Sequence, residues 1–372
     1  MTLSTEARPR LFCLTVALLG LFALGACQGD YPQSSIDPHT DFADTIQALY
    51  IQVFWWTMAI LVVVWSVLAY VVIRFRENPN RPAPRQTHGH LGLEVAWTIG
   101  PALIVVAIAI PTIRAVFQTQ TELEGDPLTV EVIGHQYWWE VHYPDSGVRT
   151  ANEIHLPAGR AITLQLNSAD VIHSFWVPQL GGKRDVNPIR QVGEERELRG
   201  YTYLYFTARE PGVYMGQCAE FCGEGHSLMR MRVVIEPEAD FNAWLADWQL
   251  PSPTALAPPT DTIAQAPAED PLLTLGRQTL FTSTCVACHA IQGAPVVGLL
   301  GPNLTRIGSR TTIGAGLLEN TPENLFDWIK APASIKPGVR MPGAQEGGGG
   351  FPPTNLTDDQ VRAIAVYLSS LR

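Results

Sequence analysis

Cys218-Ala-Glu-Phe-Cys222-Gly-Glu-Gly-His226-Ser-Leu-Met229 is the stretch that decides how this chain is organised. It carries two thiols, an imidazole and a thioether within one short loop. Such soft donors suit copper better than a hard cation. His173, further upstream, supplies a second imidazole. Because a mononuclear cupredoxin copper takes two His, one Cys and a weak Met, the additional Cys predicts two copper ions bridged by both sulfurs.

The alternative for Cys218 and Cys222 is a disulfide, which an oxidising compartment would permit. A disulfide needs no histidine at a fixed offset. Here His226, Met229 and the distant His173 all fall where ligands would be. We therefore expect a metal loop.

The spacing Cys-x-Glu-x-Cys-x-x-x-His-x-x-Met resembles the binuclear copper A loop of the cytochrome c oxidase subunit II family. In that family two cysteines bridge both coppers. One copper also takes a His and a Met, and the other takes a His and a backbone carbonyl. The resemblance assigns these roles to Cys218 and Cys222, to His173 and Met229, and to His226 with the carbonyl of Glu220. It also implies that the Glu220 side chain helps to hold a magnesium ion against the catalytic subunit.

A second metal motif, Cys285-Val-Ala-Cys288-His289, has the pattern of c-type haem attachment. Two thioethers tether the porphyrin, and the following His takes one axial position. The alternative is a thioredoxin-like redox motif, which does not need the His and occurs in a βαβ setting that this segment lacks. We expect covalently bound haem c.

The second axial ligand of the haem follows by elimination. Beyond His289 the chain has no other His, and its only Met is Met341. A Met/His pair raises the haem potential, as an electron carrier needs. Lys330 and Lys336 remain alternatives to Met341.

The composition favours a membrane-attached protein of several domains. The chain has 372 residues, of which 46% are hydrophobic and only 16% charged. Its net charge of −10 gives no indication of a nucleic-acid partner. Of the 6 cysteines, two lie in the copper loop, two in the haem motif and two at the N-terminus. None is left over for a disulfide framework.

Residues 1–26 have the layout of an export signal, with Arg8 and Arg10 followed by an apolar run and then small residues. Leu24-Gly-Ala-Cys27 resembles a bacterial lipoprotein cleavage box, which implies a mature chain that starts at a lipid-modified Cys27. The alternative is an uncleaved signal anchor. Residues 27–48 then form a short outer segment.

Two apolar stretches, Leu49–Ile73 and Leu91–Ile113, are long enough to cross a bilayer as helices. They form a predicted hairpin over residues 49–115. The loop between them is rich in Arg, whereas residues 30–44 carry Asp and no Lys or Arg. The positive-inside rule therefore places the loop in the cytoplasm and both metal motifs on the outer face of the membrane.

Two further segments resemble the same family. Glu94, within the second span, corresponds to a glutamate at the mouth of a proton channel in the catalytic subunit, and an ionisable residue in a span is usually functional. The alternative is a snorkelling side chain near the cytoplasmic end. Gly134-His-Gln-Tyr137-Trp138-Trp139-Glu resembles the aromatic segment beside copper A, which implies an electron route through Tyr137 and Trp138. Most of the family has a tryptophan where this chain has Tyr137.

The outer part divides into two domains. Residues 127–236 alternate apolar and polar positions between Pro and Gly, which predicts the strands of a β-sandwich. For residues 116–250 the resemblance implies an all-β cupredoxin-like Greek-key sandwich. Residues 251–270 are a Pro/Ala-rich linker without aromatics. Residues 271–372 have helical spacing and a Thr357/Gln360 capping box, which predicts a small helical domain. Its segment Gly301-Pro-Asn-Leu304 resembles class I cytochromes c, which implies an all-α cytochrome c domain of that class.

Together the leader, hairpin, copper domain, linker and cytochrome domain resemble subunit II of a caa3-type cytochrome c oxidase. The resemblance implies that electrons pass from a donor to haem c, then to copper A and on to a catalytic subunit I, where oxygen is reduced with proton pumping. A membrane-tethered copper carrier is one alternative, but it has no use for a covalent haem. A non-catalytic assembly subunit is the other, but it would not need the complete ligand set.

The charges on either side of the linker suggest how the two metal domains meet. Residues 116–250 are acidic, whereas residues 271–372 are weakly basic. Between the haem motif and the Met341 loop lie five basic residues: Arg306, Arg310, Lys330, Lys336 and Arg340. We expect this basic rim to dock on the copper domain with electrostatic steering.

Overall fold

The computed structural model describes residues 31–76, 86, 88–188, 200–255, 270–294, 298 and 300–372. The predicted leader with Cys27 lies outside the described residues, as do most of the arginine-rich loop and much of the linker. The described chain contains a pair of long helices, a β-sandwich and a small helical domain. This is the fold class predicted from the sequence.

The helix pair consists of α1 (Asp41–Arg74) and α2 (Leu91–Gln118), of 34 and 28 residues. At 1.5 Å per residue both exceed the roughly 30 Å hydrocarbon core of a bilayer. Their apolar side chains are exposed along almost the whole length, as lipid-facing residues are. The first helix begins before the predicted span because the Thr40 side chain accepts a hydrogen bond from the Ala43 N–H and caps it.

The N-terminal end of α1 is fixed to the sandwich. The Thr40 hydroxyl donates to the Leu180 carbonyl at 2.7 Å, and Asp44 forms an ion pair with Arg209. Phe42 is buried in the core of the sandwich. The copper domain is therefore held at the outer end of the hairpin.

The sandwich has two five-stranded sheets, ordered β3-β2-β1-β5-β8 and β4-β10-β9-β6-β7. The strands are β1 (Leu128–His135), β2 (Trp138–Tyr143), β3 (Val148–Ala151), β4 (Glu153–Pro157), β5 (Ala161–Ser168), β6 (His173–Trp176), β7 (Arg184–Val186), β8 (Thr202–Thr207), β9 (Gly212–Cys218) and β10 (Arg230–Glu236). Most pairs are antiparallel, but β1 pairs with β5 and β10 with β4 in parallel.

Alternation along the strands builds the core of the sandwich. On β1, every second side chain is buried, and Val130 and Val132 have no exposed surface. Trp139 and Met231 are also in this core, so neither is a surface or loop residue. Helix α3 (Glu238–Trp248) closes one end and buries Phe241 and Trp248.

The helical domain contains α4 (Pro271–Thr282), α5 (Pro322–Lys330), α6 (Pro332–Ile335) and α7 (Asp358–Ser370), with a small hairpin of β11 (Thr312–Ile313) and β12 (Leu318–Glu319). The Thr357/Gln360 capping box starts α7 as predicted. A Cβ on Gly276 would overlap the Ala363 carbonyl, so this glycine permits the close crossing of α4 and α7. Ala255 packs in this domain's core and Ser252 bonds to Arg372, so residues 251–255 of the predicted linker lie on it.

Candidate copper and haem sites

The copper-loop side chains come from neighbouring strands of one sheet. Cys218 ends β9 and pairs with Phe175 of β6, which places His173 of β6 beside it. The Cys218 N–H donates to the Met229 carbonyl at 2.8 Å, which closes the loop before β10 begins. His173, Cys218, Cys222 and Met229 are all buried.

The donor atoms of this loop face one another. The Sγ atoms of Cys218 and Cys222 are 3.9 Å apart, and both residues are free thiols. His173 Nδ1 lies 3.9 Å from Cys218 Sγ, and His226 Nδ1 lies 3.8 Å from Cys222 Sγ. Met229 Sδ is 3.9 Å from Cys222 Sγ. The geometry is that of a shared ligand cluster and not of a disulfide.

A backbone carbonyl completes the cluster, since Glu220 O lies 3.2 Å from Cys218 Sγ. The Glu220 side chain is half-buried and belongs to no acidic cluster among the described residues. His173, Cys218 and Cys222 have ligand atoms within 4.8 Å of one another, and His226, Met229 and the Glu220 carbonyl each approach one of the two sulfurs. This soft donor set fits a pair of copper ions.

Asp170 orients one of the imidazoles, which the sequence patterns had not indicated. Its Oδ1 lies 2.9 Å from His173 Nε2, so His173 directs Nδ1 at the sulfurs. Its Oδ2 accepts from the Gln136 N–H at 2.8 Å, and the Gln136 side chain donates to the Cys222 carbonyl at 2.7 Å. These hydrogen bonds connect the aromatic segment to the copper loop.

The protonation of the Cys218 thiol and that of the Cys222 thiol are coupled. Hydrogen bonding with Cys222 and with His173 lowers the pKa of Cys218, whereas the neighbouring Cys218 raises the pKa of Cys222. One thiolate is therefore already stabilised by the fold. A second requires a positive charge between the sulfurs, which is what a metal ion provides.

The haem motif opens into a cleft of about 280 Å³ between the two domains. The thiols of Cys285 and Cys288 are half-buried and unbonded at its wall. His289 Nδ1 donates to the Pro302 carbonyl at 2.8 Å, which leaves Nε2 as the free nitrogen. Burial lowers the pKa of His289 and keeps the ring neutral, as a metal ligand must be.

The alternatives for the second axial ligand differ in what they contact. Met341 lines the cleft and packs against the core of the helical domain. The Lys330 ammonium pairs with Asp358 at 2.8 Å, on its own domain. The Lys336 ammonium donates to the Tyr137 carbonyl at 2.6 Å and to the Gly314 carbonyl at 3.2 Å. The geometry therefore favours Met341 as the haem ligand, because both lysines have other partners.

Tyr137 and Trp138 lie between the two sites. Both line the haem cleft, where Trp138 stacks on His135 with ring centroids 4.2 Å apart. The Tyr137 ring packs directly on the copper loop, since a Cβ on Gly225 would lie 2.5 Å from it. Tyr137 thus contacts the loop on one side and borders the haem cleft on the other.

The remaining predicted residues are separate from this cluster. Glu94 is in the first turn of α2, exposed on the hairpin, and accepts from the His90 N–H at 3.2 Å. His142 and His155 pair with Glu131 and Glu236, and neither approaches the copper loop. The two domains also meet through Glu153, which no sequence pattern had indicated.

Comparisons with known proteins identify each part of this arrangement. Family models match residues 34–115 as the transmembrane domain of cytochrome c oxidase subunit II, residues 146–237 as its periplasmic domain and residues 276–372 as cytochrome c. Cytochrome c oxidase subunit 2 of Alkalihalophilus pseudofirmus is 31% identical over 366 residues, 96% of each chain. The chain belongs to the cytochrome c oxidase subunit II family.

Other proteins are similar to parts of the chain. Quinol oxidase subunit 2 of Bacillus cereus is 29% identical over 240 residues, which is 63% of this chain and 78% of the relative. The periplasmic domain of oxidase subunit II from Bradyrhizobium japonicum is 27% identical, covering 35% of this chain and 97% of its own, with a TM-score of 0.31. As a family member with a copper A domain and a fused cytochrome c domain, the chain is a membrane protein whose metal domains face the periplasm. It works within an oxidase complex beside subunit I.

Proposed function

We propose that this chain is the electron-accepting subunit of a caa3-type oxidase, with haem c as the first acceptor and copper A as the exit towards the catalytic subunit. The haem and the copper pair supply one-electron chemistry when bound. The chain's own residues supply the two ligand sets, their orientation and the distance between them. Oxygen reduction, coupled to proton pumping, belongs to the partner subunit.

The proposed copper ligands are the buried donors around the two thiols. Cys218 and Cys222 would hold the pair through both sulfurs, and His173, His226, Met229 and the Glu220 carbonyl would supply the other ligands. Asp170 supports the assignment because its hydrogen bond fixes the tautomer of His173. A magnesium ion at the Glu220 carboxylate remains a prediction that needs ligands from the catalytic subunit.

Cys285 and Cys288 would tether the haem through thioethers, and His289 and Met341 would supply its two axial ligands. The hydrogen bond from His289 to Pro302 keeps the imidazole in a single orientation. Both lysine alternatives are engaged elsewhere. This pairing suits an electron carrier because a Met/His pair gives a high potential.

The single observation that carries the proposal is the position of Tyr137, which lines the haem cleft and packs on the copper loop. It gives a continuous path of packed atoms between the two proposed sites, with Trp138 beside it. A copper carrier would not need a haem cleft aimed at its copper loop. An assembly subunit would not need either ligand set.

Electron spin resonance of the purified oxidase complex tests this function. Two thiolates that bridge two coppers share one unpaired electron, so we expect a mixed-valence signal, together with haem c absorption and oxygen uptake. Cys218→Ser should abolish the copper signal, whereas the matched control His155→Ala, which changes a ligand-type residue outside the cluster, should preserve it. A mononuclear copper spectrum, or zinc in place of copper, would contradict the proposal.

A further inference from the structure

The contact between the two metal domains is built on one buried carboxylate. Glu153 begins β4, the edge strand of its sheet, and is only 2% exposed. Its Oε1 accepts from the Thr312 N–H and hydroxyl at 2.8 Å each and from the Thr311 hydroxyl at 2.6 Å. The Thr311 N–H lies 3.0 Å from both carboxylate oxygens. All of these donors belong to the cytochrome domain.

This arrangement is costly unless the domains are together. A buried carboxylate requires hydrogen bonds or a counter-charge to offset its lost hydration. Among the described residues, the side-chain hydrogen bonds of Glu153 all come from the other domain. Their full strength is therefore available only when the cytochrome domain is docked.

Two arginines of the cytochrome domain are also buried at the domain contact. The Arg310 guanidinium donates to Thr150 of the copper domain at 3.3 Å and lies over the Trp248 ring at 5.8 Å. Arg306 forms an ion pair with Asp247 at 2.8 Å, and its side chain is 6% exposed. Both arginines therefore contact the copper domain from buried positions.

The basic rim predicted from the sequence thus divides into two parts. Arg306, Arg310 and Lys336 are buried at the domain contact, where Lys336 reaches the Tyr137 carbonyl. Lys330 pairs within its own domain, and Arg340 is exposed. The contact therefore depends on buried, directional hydrogen bonds more than on exposed charges. Salt screens such buried groups weakly.

We propose that Glu153 is an interdomain latch that holds the cytochrome domain on the copper domain in one orientation, with the haem cleft facing Tyr137. The partner of this copper-domain surface is the chain's own cytochrome domain. The linker then maintains proximity but is not needed for docking. The latch rests on the proposed function only in that its kinetic test follows electrons from haem c to copper.

Cutting the linker distinguishes a cytochrome domain that is held by the Glu153 contact from one that is held only by the linker. A protease site is inserted between residues 257 and 268 of the chain in the assembled oxidase, and the linker is cleaved after purification. We expect the haem-containing fragment to stay on the complex after cleavage at both 0.1 M and 1 M salt, where the Debye length is about 10 Å and about 3 Å. Release from the otherwise unaltered complex at either salt would overturn the latch.

Substitutions test whether the Glu153 carboxylate is what retains the cleaved cytochrome fragment. Glu153→Ala should raise the dissociation constant of the cleaved fragment about 30-fold or more, the usual minimum for truncating one side of a buried, hydrogen-bonded charge cluster. Glu236→Ala removes another half-buried carboxylate of the same sheet, whose partner His155 is in its own domain, and should leave retention unchanged. Equal retention in the Glu153 and Glu236 variants would overturn the proposal.

Two further measurements separate the latch from misfolding and from failure of the function. Thr312→Val removes one donor from the cytochrome side and leaves the copper domain unaltered, and its effect should be largely absent when Glu153 is already Ala. Copper and haem spectra should match the unaltered oxidase in all these variants, while electron transfer from haem c to copper after flash reduction slows in Glu153→Ala. Additive effects of the two substitutions would contradict a direct contact. If the unaltered oxidase itself lacks the copper-pair signal or the haem c absorption, the proposed function is contradicted instead.

Discussion

At the scale of single residues, the two proposed axial ligands of the haem are held differently. Both residues are half-buried, but His289 is fixed by its hydrogen bond to Pro302, whereas Met341 packs against the core of the helical domain at the cleft wall. The thioether tethers come from Cys285 and Cys288, independently of either ligand. Loss of Met341 should therefore alter the iron without releasing the haem.

Met341→Ala tests this assignment. We expect the weak sulfur-to-iron band at the red end of the spectrum to disappear and the haem potential to fall, because the Met/His pair is what raises it. Covalent haem, measured after denaturation, should be unchanged. Met215→Ala, in the copper domain, is the control. If the unaltered protein already lacks this band, and Met341→Ala leaves its potential unchanged, Lys336 returns to consideration.

Residues with a fixed local spacing could be predicted from the sequence, and those that act across the fold could not. The copper loop and the haem motif each bring most of their donors together within one segment, so their chemistry is readable from the order of residues. Asp170 and Glu153 carry no such spacing. Their roles depend on which strand or domain is packed beside them, and Glu153 meets Thr311 and Thr312 across 158 and 159 positions.

At the scale of elements, a half-buried carboxylate ties together the strands that support the aromatic segment. Glu131 of β1 contacts His142 of β2, and its Oε1 accepts from Asn167 of β5 at 2.8 Å. The hydrogen bond from His142 is the largest cause that lowers the pKa of Glu131, with a further contribution from Asn167, although burial opposes them. The ionised form is therefore favoured in the folded sheet.

The contacts of Glu131 predict how the stability of the sandwich changes with pH. Since the folded pKa of Glu131 lies below its ordinary value of 4.5, its stabilisation is complete above that pH and is lost as the pH falls through the folded pKa. Glu131→Gln should lower the free energy of unfolding by about 1 kcal/mol at pH 7 and by less at pH 3. Urea denaturation followed by tryptophan fluorescence measures both values. The exposed Glu238→Gln is the control, and an equal loss at both pH values would contradict the prediction.

Element boundaries were predictable where a capping side chain marks them. Thr357 with Gln360 and Thr321 with Pro322 both start helices at the expected residues. The start of α1 was predicted too late because hydropathy marks the lipid-facing part of a helix and not its end. The polar turn from Asp41 to Asp44 extends the helix outward to the sandwich, where it is held by contacts with residues far along the chain.

At the scale of the whole molecule, the hairpin exposes the ionisable side chain of Glu94, where a neighbouring subunit could contact it. Glu94 is exposed at the end of α2 away from the copper domain, and its described hydrogen bond is to the backbone of its own helix cap. We predict that this ionisable group at the edge of the apolar helix belongs to a proton path. Its effect should then appear only in the assembled oxidase.

Glu94→Gln should slow oxygen uptake several-fold without changing the copper or haem c spectra. The charge is removed, but the shape of the side chain and its hydrogen bond to the helix cap are preserved. Thr112→Val on the same helix is the matched control, because its hydroxyl bonds only to the turn before it in the described structure. Unchanged turnover in Glu94→Gln would mean that the residue snorkels to the membrane surface without a role in proton uptake.

The copper domain forms one wall of the haem cleft, and this bears on whether haem attachment comes before or after the two domains close. Cys285 and Cys288 open into a space bordered by Gln136, Tyr137 and Trp138 of the other domain. An enzyme that joins a porphyrin to two thiols needs access to both of them and to the whole face of the ring. With the domains closed, the copper domain covers part of that space. We therefore expect covalent haem attachment to come before the domains close.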